Sequence, residues 1–102
     1  MFEEETVMQK EFEGVWLPKE ILNIKNVTFQ EKIVLSIICN FCQKNEWCYA
    51  SNRYLASVLN TTYQRISTVI NDLKKKELII VRFEDKKRIL KYNPYKVFIT
   101  PI

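Results

Sequence analysis

The sequence has no histidine, one glycine and no long apolar run. Histidine is the commonest general base and the commonest metal ligand, so its absence removes the usual means of both kinds of chemistry. With a single glycine, the chain cannot form the glycine-rich loops that hold nucleotide phosphates. No stretch of about 18 uncharged apolar residues is present, so we expect neither a membrane-spanning segment nor a membrane partner. The N-terminus is acidic and lacks the apolar core of a signal peptide, which favours a cytoplasmic location.

The three cysteines, Cys39, Cys42 and Cys48, do not make a convincing metal site. Cys39 and Cys42 have the spacing of zinc ligands, but a structural zinc site needs four ligands, and the sequence has no fourth cysteine. Both also lie in an apolar helical segment, where small buried side chains are the simpler interpretation. We therefore expect no metal, no cofactor and no disulfide framework. The carboxylates cluster at the N-terminus and at turns, so we expect no enzymatic activity.

Positive charge is concentrated in one part of the chain, whose formal net charge is +4. Residues 1–27 hold three basic and six acidic residues, whereas residues 60–92 hold nine basic and four acidic residues. A basic region beside an acidic end predicts a polyanion partner at one face. The alternative is a solvated lysine-rich surface, which is common in proteins from AT-rich genomes.

Two short helices joined by a tight turn are predicted in the middle of the chain. The first begins after Ser51, a good N-cap, and the second extends from about Thr62 to Glu77. Asn60 and Thr61 complete the turn between them. Apolar residues at helical spacing predict one buried stripe on each helix. These residues are Tyr54, Leu55, Val58 and Leu59 in the first helix and Ile66, Val69, Ile70 and Leu73 in the second.

The face of the second helix opposite its apolar stripe carries Gln64, Thr68, Asn71 and Lys75. A solvated surface helix usually has Glu–Lys pairs at such positions. Uncharged hydrogen-bonding groups and cations are instead the groups that address base edges and phosphates. The pattern is that of a helix-turn-helix, whose second helix can lie in the DNA major groove.

Further elements are predicted on both sides of this motif. A helix over residues 28–43 has a capping box, Thr28 with Glu31, and an apolar arc wide enough to make it the central helix. Before it, Pro18 starts a one-turn helix, and Trp16 is predicted to be a core anchor. After the motif, residues 78–92 alternate as a β-hairpin that reverses at residues 84–87. A short extended piece at Cys48 and Tyr49 is predicted to pair with this hairpin.

The two ends of the chain are predicted to be short extensions. Residues 1–14 form an N-terminal arm or a short helix that stops at Gly14. Residues 93–102 form a C-terminal strand-like tail with apolar residues on both faces. We expect this tail either to pack back on the body or to add to another subunit.

The order of these elements and several short motifs resemble the winged-helix domains of plasmid and phage replication initiators. The matching pieces are Leu17-Pro18-Lys19, Phe29-Gln30-Glu31-Lys32, Ser51-Asn52-Arg53-Tyr54-Leu55-Ala56 and Ile66-Ser67-Thr68-Val69-Ile70-Asn71-Asp72-Leu73. The resemblance covers residues 15–92 and implies an α+β winged helix-turn-helix domain, a three-helix core plus a β-hairpin wing. One departure is Glu77, which stands where these domains usually have a glycine after the third helix, so the orientation of the wing is open.

The resemblance implies sequence-specific binding of double-stranded DNA at an origin of transfer or replication. Length and composition are similar to those of small relaxosome accessory proteins of conjugative plasmids, the TcpK-like group, which implies a relaxase or a replication protein as partner. Two alternatives stay open: a transcriptional regulator that binds an operator, and a protein-interaction module that docks through the acidic N-terminus or the apolar tail. A homodimer is expected because one subunit rarely contacts enough bases.

Candidate DNA contacts fall into four groups. The amino ends of the two motif helices suit the DNA backbone, and these residues are Ser51, Asn52, Arg53, Thr61, Thr62 and Tyr63. The candidate base readers are Gln64, Arg65, Thr68 and Asn71. The candidate phosphate contacts at the end of the second helix are Lys74, Lys75 and Lys76. The candidate wing contacts, to phosphates or a minor groove, are Arg82, Lys86, Lys87, Arg88 and Lys91.

Overall fold

The structure, a computed structural model, describes residues 14–98. Within this range four helices precede a two-stranded antiparallel hairpin, which confirms the predicted α+β architecture. The elements are α1 (Lys19–Leu22), α2 (Phe29–Lys44), α3 (Asn52–Leu59), α4 (Tyr63–Lys75), β1 (Ile79–Glu84) and β2 (Lys87–Tyr92). We call the β1–β2 hairpin the wing.

Helix α2 is the centre of the fold, as predicted. Its N-terminus has the predicted capping box: the Thr28 hydroxyl accepts the Glu31 N–H at 3.1 Å, and the Glu31 carboxylate accepts the Thr28 N–H at 3.0 Å. The helix packs against α1, α4 and β2. Its buried apolar side chains are Val34, Leu35, Ile37, Ile38 and Cys39. Because several elements share this one helix, the core is built around it.

Helices α3 and α4 are joined by the turn that the sequence predicted. The Ser51 hydroxyl accepts the Tyr54 N–H at 3.0 Å, and the Thr62 hydroxyl accepts the Arg65 N–H at 3.0 Å, so both helices have side-chain caps. Asn60 ends α3 in the left-handed conformation at φ 53°, which asparagine tolerates well. All four residues of the predicted α4 stripe are buried. In α3, Tyr54 and Leu55 are buried, whereas Val58 and Leu59 are half-buried.

The corner between α4 and the wing has the geometry that a glycine would give it. Glu77 has φ 61°. The Leu78 N–H donates to the Leu73 carbonyl and the Glu77 N–H donates to the Lys74 carbonyl, both at 3.0 Å. This pair of hydrogen bonds is a Schellman motif, the common helix ending that usually has glycine at the left-handed position. The missing glycine therefore leaves the corner unchanged, with a non-glycine residue in a strained conformation.

The wing pairs in register from Ile79↔Tyr92 to Glu84↔Lys87. Its turn is tighter than the predicted four-residue reversal, because Asp85 (φ 51°) and Lys86 (φ 65°) alone connect the strands. Two central residues with positive φ are the mark of a type I′ turn, which matches the twist of the strands. On the other side of β2, Cys48 and Leu90 exchange both backbone hydrogen bonds, at 2.7 and 2.9 Å. This bridge confirms the predicted pairing of the extended piece with the hairpin.

Two predictions at the edges of the domain do not agree with the structure. Trp16 is not a core anchor, because 58% of its surface is exposed. Residues 93–98 form a turn rather than a strand, since the N–H groups of Lys96 and Val97 both donate to the Asn93 carbonyl. Val97 is buried, so this part of the tail packs back on the body. Residues 1–13 and 99–102 lie outside the described residues, and the predictions made for them stay predictions.

Candidate nucleic-acid interface

The outward face of α4 presents the polar residues that the sequence predicted. Gln64, Thr68, Asn71 and Lys75 are exposed and lie opposite the buried stripe. The Thr68 hydroxyl donates to the Gln64 carbonyl at 3.1 Å. Within residues 14–98, the side chains of Gln64, Asn71 and Lys75 make no hydrogen bond or ion pair. Their donors and acceptors are therefore available to a ligand, and both base edges and phosphates suit them.

One flank of α4 is held by the first turn of α2. The Arg65 Nε donates to the Gln30 Oε1 at 2.5 Å, and the Lys76 Nζ lies 2.9 Å from the Glu31 Oε1. Burial raises the pKa of Glu31, but hydrogen bonds from Lys76 and Thr28 and the charge of Lys76 outweigh it, so the pKa lies below its ordinary value. Lys76 was predicted to meet phosphates. The structure instead places its ammonium in an ion pair with a buried carboxylate.

The wing is joined to the start of α3 by Arg88. Arg88 donates to the Asn52 Oδ1 and, at 2.9 Å, to the Ala50 carbonyl. Burial lowers the pKa of Arg88. The guanidinium thus joins β2 to the start of α3. Arg88 and the buried Asn52 were both predicted to contact DNA. In the structure their side chains are hydrogen-bonded to each other.

Two further wing cations lie against Trp47. The Arg82 guanidinium is 4.9 Å and the Lys91 ammonium 5.6 Å from the centre of the Trp47 ring. The strand register puts Ile89, which is buried, directly opposite Arg82 and on the same face as Lys91. Cations over an indole ring are attracted by its negative face. Arg82 and Lys91 therefore contribute to the cover of this wing face, which lies opposite the face that carries Arg88.

The tip of the wing and the helix amino ends complete the surface. Lys86 and Lys87 are exposed and make no ion pair within residues 14–98, so they suit a phosphate contact. Arg53 is exposed, whereas Thr61 is half-buried. The hydroxyls of Ser51 and Thr62 already accept helix N–H groups. Lys74 is exposed beside Lys75 on the last turn of α4.

The structure therefore brings together most of the predicted set, but four of the predicted cations and one amide interact with other parts of the protein. These five residues are Asn52, Lys76, Arg82, Arg88 and Lys91. Sequence reasoning missed Gln30 and Trp47, which hold predicted site residues in place. Their partners lie 35 residues away or more, so no local spacing could have indicated them.

The buried cysteines of the described residues show neither a reactive thiol nor a metal site. Burial raises the pKa of both Cys39 and Cys48 to about 12, which keeps these thiols protonated and unreactive. Across residues 14–98, no group of three or more cysteine and carboxylate side chains is arranged to hold a metal ion. No helix among these residues has the length and apolar character that crossing a bilayer would require.

Three core helices followed by a hairpin that lies beside the last helix define a winged helix-turn-helix domain, as the sequence predicted. A family model described as a helix-turn-helix domain matches residues 28–79, a little over half of the chain, and the chain belongs to this family. Family membership supports DNA binding and a role in binding rather than catalysis.

A solved structure with the same fold is described as "N-Terminal domain of DNA binding protein". It has a TM-score of 0.60 and 20% sequence identity, and the match covers 94% of this chain and 81% of that one. At this identity the likeness shows the fold alone. No curated protein matches the sequence.

Proposed function

We propose that this protein binds double-stranded DNA in a sequence-specific manner, with α4 in the major groove and the wing tip on the adjacent backbone. The observation that carries the proposal is the outward face of α4. Gln64, Asn71 and Lys75 point away from the core with no partner among residues 14–98. A face with unpaired amides and a cation, but without carboxylates, suits base edges and phosphates.

The proposed setting is an origin of transfer or replication of a plasmid or phage, where the protein acts as an accessory factor. The resemblance of residues 15–92 to replication-initiator domains supports this setting. A relaxase or a replication protein is the proposed protein partner. A homodimer is proposed because one α4 contacts too few bases for a useful site.

A transcriptional regulator is the second candidate function, because the same surface could read an operator. The two differ in where the protein binds. We propose to incubate the full chain with fragments of the parent replicon, recover the bound fragments and footprint the best one. Protection at an origin supports the accessory role, whereas protection over a promoter supports the regulator.

Salt dependence tests DNA binding itself. Each phosphate contact steepens the slope of log affinity against log salt by about 0.9. We expect a steep slope together with a preference for one fragment over bulk DNA. A flat slope, or equal affinity for all fragments, would contradict the proposed function. The protein-interaction alternative would then be tested by the mass of the full chain in solution against that of a chain without residues 93–102.

A further inference from the structure

The side chain of Arg65, in the first turn of α4, is held by a residue of a different helix. Its Nε donates to the Oε1 of Gln30, on the first turn of α2, at 2.5 Å. Its backbone N–H donates to the Thr62 hydroxyl at 3.0 Å. Both the backbone and the guanidinium of this exposed arginine are therefore fixed before any ligand arrives.

The bond to Gln30 leaves the best part of the guanidinium free. Arginine has five N–H donors in a planar fork, and Nε supplies one of them. The two terminal nitrogens keep the parallel pair of donors that makes bidentate contacts. Gln30 holds this fork by one edge and leaves the other edge in solvent.

Two cations on the same flank of α4 have partners of different charge, a carboxylate for Lys76 and a neutral amide for Arg65. Lys76 is paired with the carboxylate of Glu31, which neutralises its charge. Arg65 is paired with a neutral amide at the neighbouring position, Gln30. An amide orients a guanidinium without cancelling its charge, so Arg65 stays fully attractive to an electronegative ligand.

We propose that Arg65 reads a guanine in the major groove, with Gln30 as the residue that positions its guanidinium. This inference rests on the proposed DNA-binding function. Guanine offers the N7 and O6 acceptors side by side, and the arginine fork matches them bidentately. A phosphate would also match the fork, and we assign Arg65 to a base because residues near the amino end of a recognition helix contact base edges. The positioning role of Gln30 lowers the ordering cost of the contact.

The test is selection of duplexes from a random DNA library by the full chain and by four variants. Wild type should enrich a site with a guanine that is preferred over other bases by roughly 5- to 100-fold. Arg65→Lys should lose that preference at one position and keep the rest of the site, since lysine has no planar fork. Gln30→Ala should weaken the same preference, and Gln43→Ala, at the exposed far end of α2, should leave it unchanged.

Gln30→Glu separates positioning from a general effect on the fold. It keeps an acceptor for the Arg65 Nε, so guanine should stay the preferred base, more strongly than in Gln30→Ala, while its negative charge offsets part of the Arg65 charge and lowers affinity for all sequences. Arg65 is exposed, so the free energy of unfolding in urea should change by less than about 0.5 kcal/mol in Arg65→Lys.

Three results would overturn the inference in distinguishable ways. If Arg65→Lys lowers affinity for every sequence equally and reduces the salt slope by about 0.9, Arg65 contacts a phosphate instead. If the selected site keeps its guanine in Arg65→Lys, another residue reads that base. If wild type enriches no sequence at all, the proposed function fails together with the inference.

Discussion

Helix α4 and the wing are both rich in lysine and arginine, but more of the wing's cations interact with other residues of the protein. In the wing, Arg88 binds Asn52 and the Ala50 carbonyl, and Arg82 and Lys91 lie against Trp47. On α4, Lys74 and Lys75 are exposed without an ion pair among residues 14–98. The wing is therefore largely a structural arm with two free cations at its tip, and α4 is the main charged surface.

This difference shows why a count of cations along a sequence overestimates the number that are available to bind DNA. Long cationic side chains also cover apolar surface and bond to backbone carbonyls. The sequence predicted that all five cations of the wing contact DNA. With three of its five cations engaged, the wing instead holds Lys86 and Lys87 as its free contacts.

The largest expected effect comes from removing two cations from each region in turn. We expect Lys74→Ala with Lys75→Ala to flatten the salt slope of DNA binding by about 1.8 per subunit, which corresponds to roughly 60-fold weaker binding at 0.1 M salt. Arg82→Ala with Lys91→Ala removes the same net charge, and its slope should change by less than about 0.5. Equal slopes for the two double variants would show that Trp47 does not withhold its cations from DNA.

Arg88→Ala should mainly affect the stability of the fold, because Arg88 interacts with other parts of the protein. It removes two charge-assisted hydrogen bonds and leaves Asn52 and the Ala50 carbonyl without their partner. We expect the free energy of unfolding in urea to fall by about 2 kcal/mol. Lys87→Ala, one residue earlier and exposed, should change it by less than about 0.5 kcal/mol. If both variants lose a similarly small amount of unfolding free energy, Arg88 is not held by Asn52 and Ala50 and is available to DNA.

Local patterns predicted most of the fold because its signals are local. The Thr28–Glu31 capping box, the Ser51 and Thr62 caps and the α4 stripe each lie within a few residues of one another. The prediction for Trp16 was wrong because apolar character does not say which side chains the core has room for. Aromatic residues are often left partly exposed in small domains.

The position of the candidate site could be predicted from the sequence. The contacts between its residues and other parts of the protein could not. The outward face of α4 follows from helical periodicity alone. Which cations stay free depends on contacts such as Arg65 with Gln30 and Lys91 with Trp47, which join residues far apart in sequence. A single sequence has no spacing rule for such pairs, so it did not indicate that Arg65, Lys76 and Lys91 have partners within the protein.

Lys76 is the structural exception at the end of α4, and pH tests its role. The Glu31 carboxylate is 4% exposed and Lys76 38% exposed, so solvent around the lysine screens the ion pair and reduces its contribution to stability. We expect Lys76→Met to lower the free energy of unfolding by about 1–2 kcal/mol at pH 7.

The pH window follows from the sign of the Glu31 shift. Its pKa is lowered in the folded protein, so the stabilisation is present above the ordinary value of 4.5 and is lost as pH falls through the folded value. The difference between wild type and Lys76→Met should therefore shrink in unfolding curves measured from pH 7 down to pH 3. A difference that stays constant across this range would mean that Glu31 is not the partner that matters, and Lys75→Met serves as the exposed control.

The smallest expected effect lies at Glu77, where α4 and the wing meet. Glycine would relieve a left-handed residue at φ 61°, which costs about 1–2 kcal/mol, but it also adds about 0.5–1 kcal/mol of unfolded-chain entropy. The 3.6 Å pair of Glu77 with Lys96 is exposed and contributes little. We expect Glu77→Gly to stabilise the fold by about 0.5 kcal/mol in urea, whereas Lys75→Gly, inside the helix, should destabilise it by about 1 kcal/mol.

DNA affinity of Glu77→Gly then tests whether the corner itself sets the direction of the wing. The Schellman hydrogen bonds use backbone groups, and the Asn93 side chain donates to the Glu77 carbonyl at 2.8 Å, so the substitution keeps every backbone bond of the corner. Affinity should therefore stay within about twofold of wild type, which is less than 0.5 kcal/mol. A larger fall with unchanged stability would mean that the strained glutamate fixes the wing relative to α4, and that the two charged surfaces bind DNA only when held in that one arrangement.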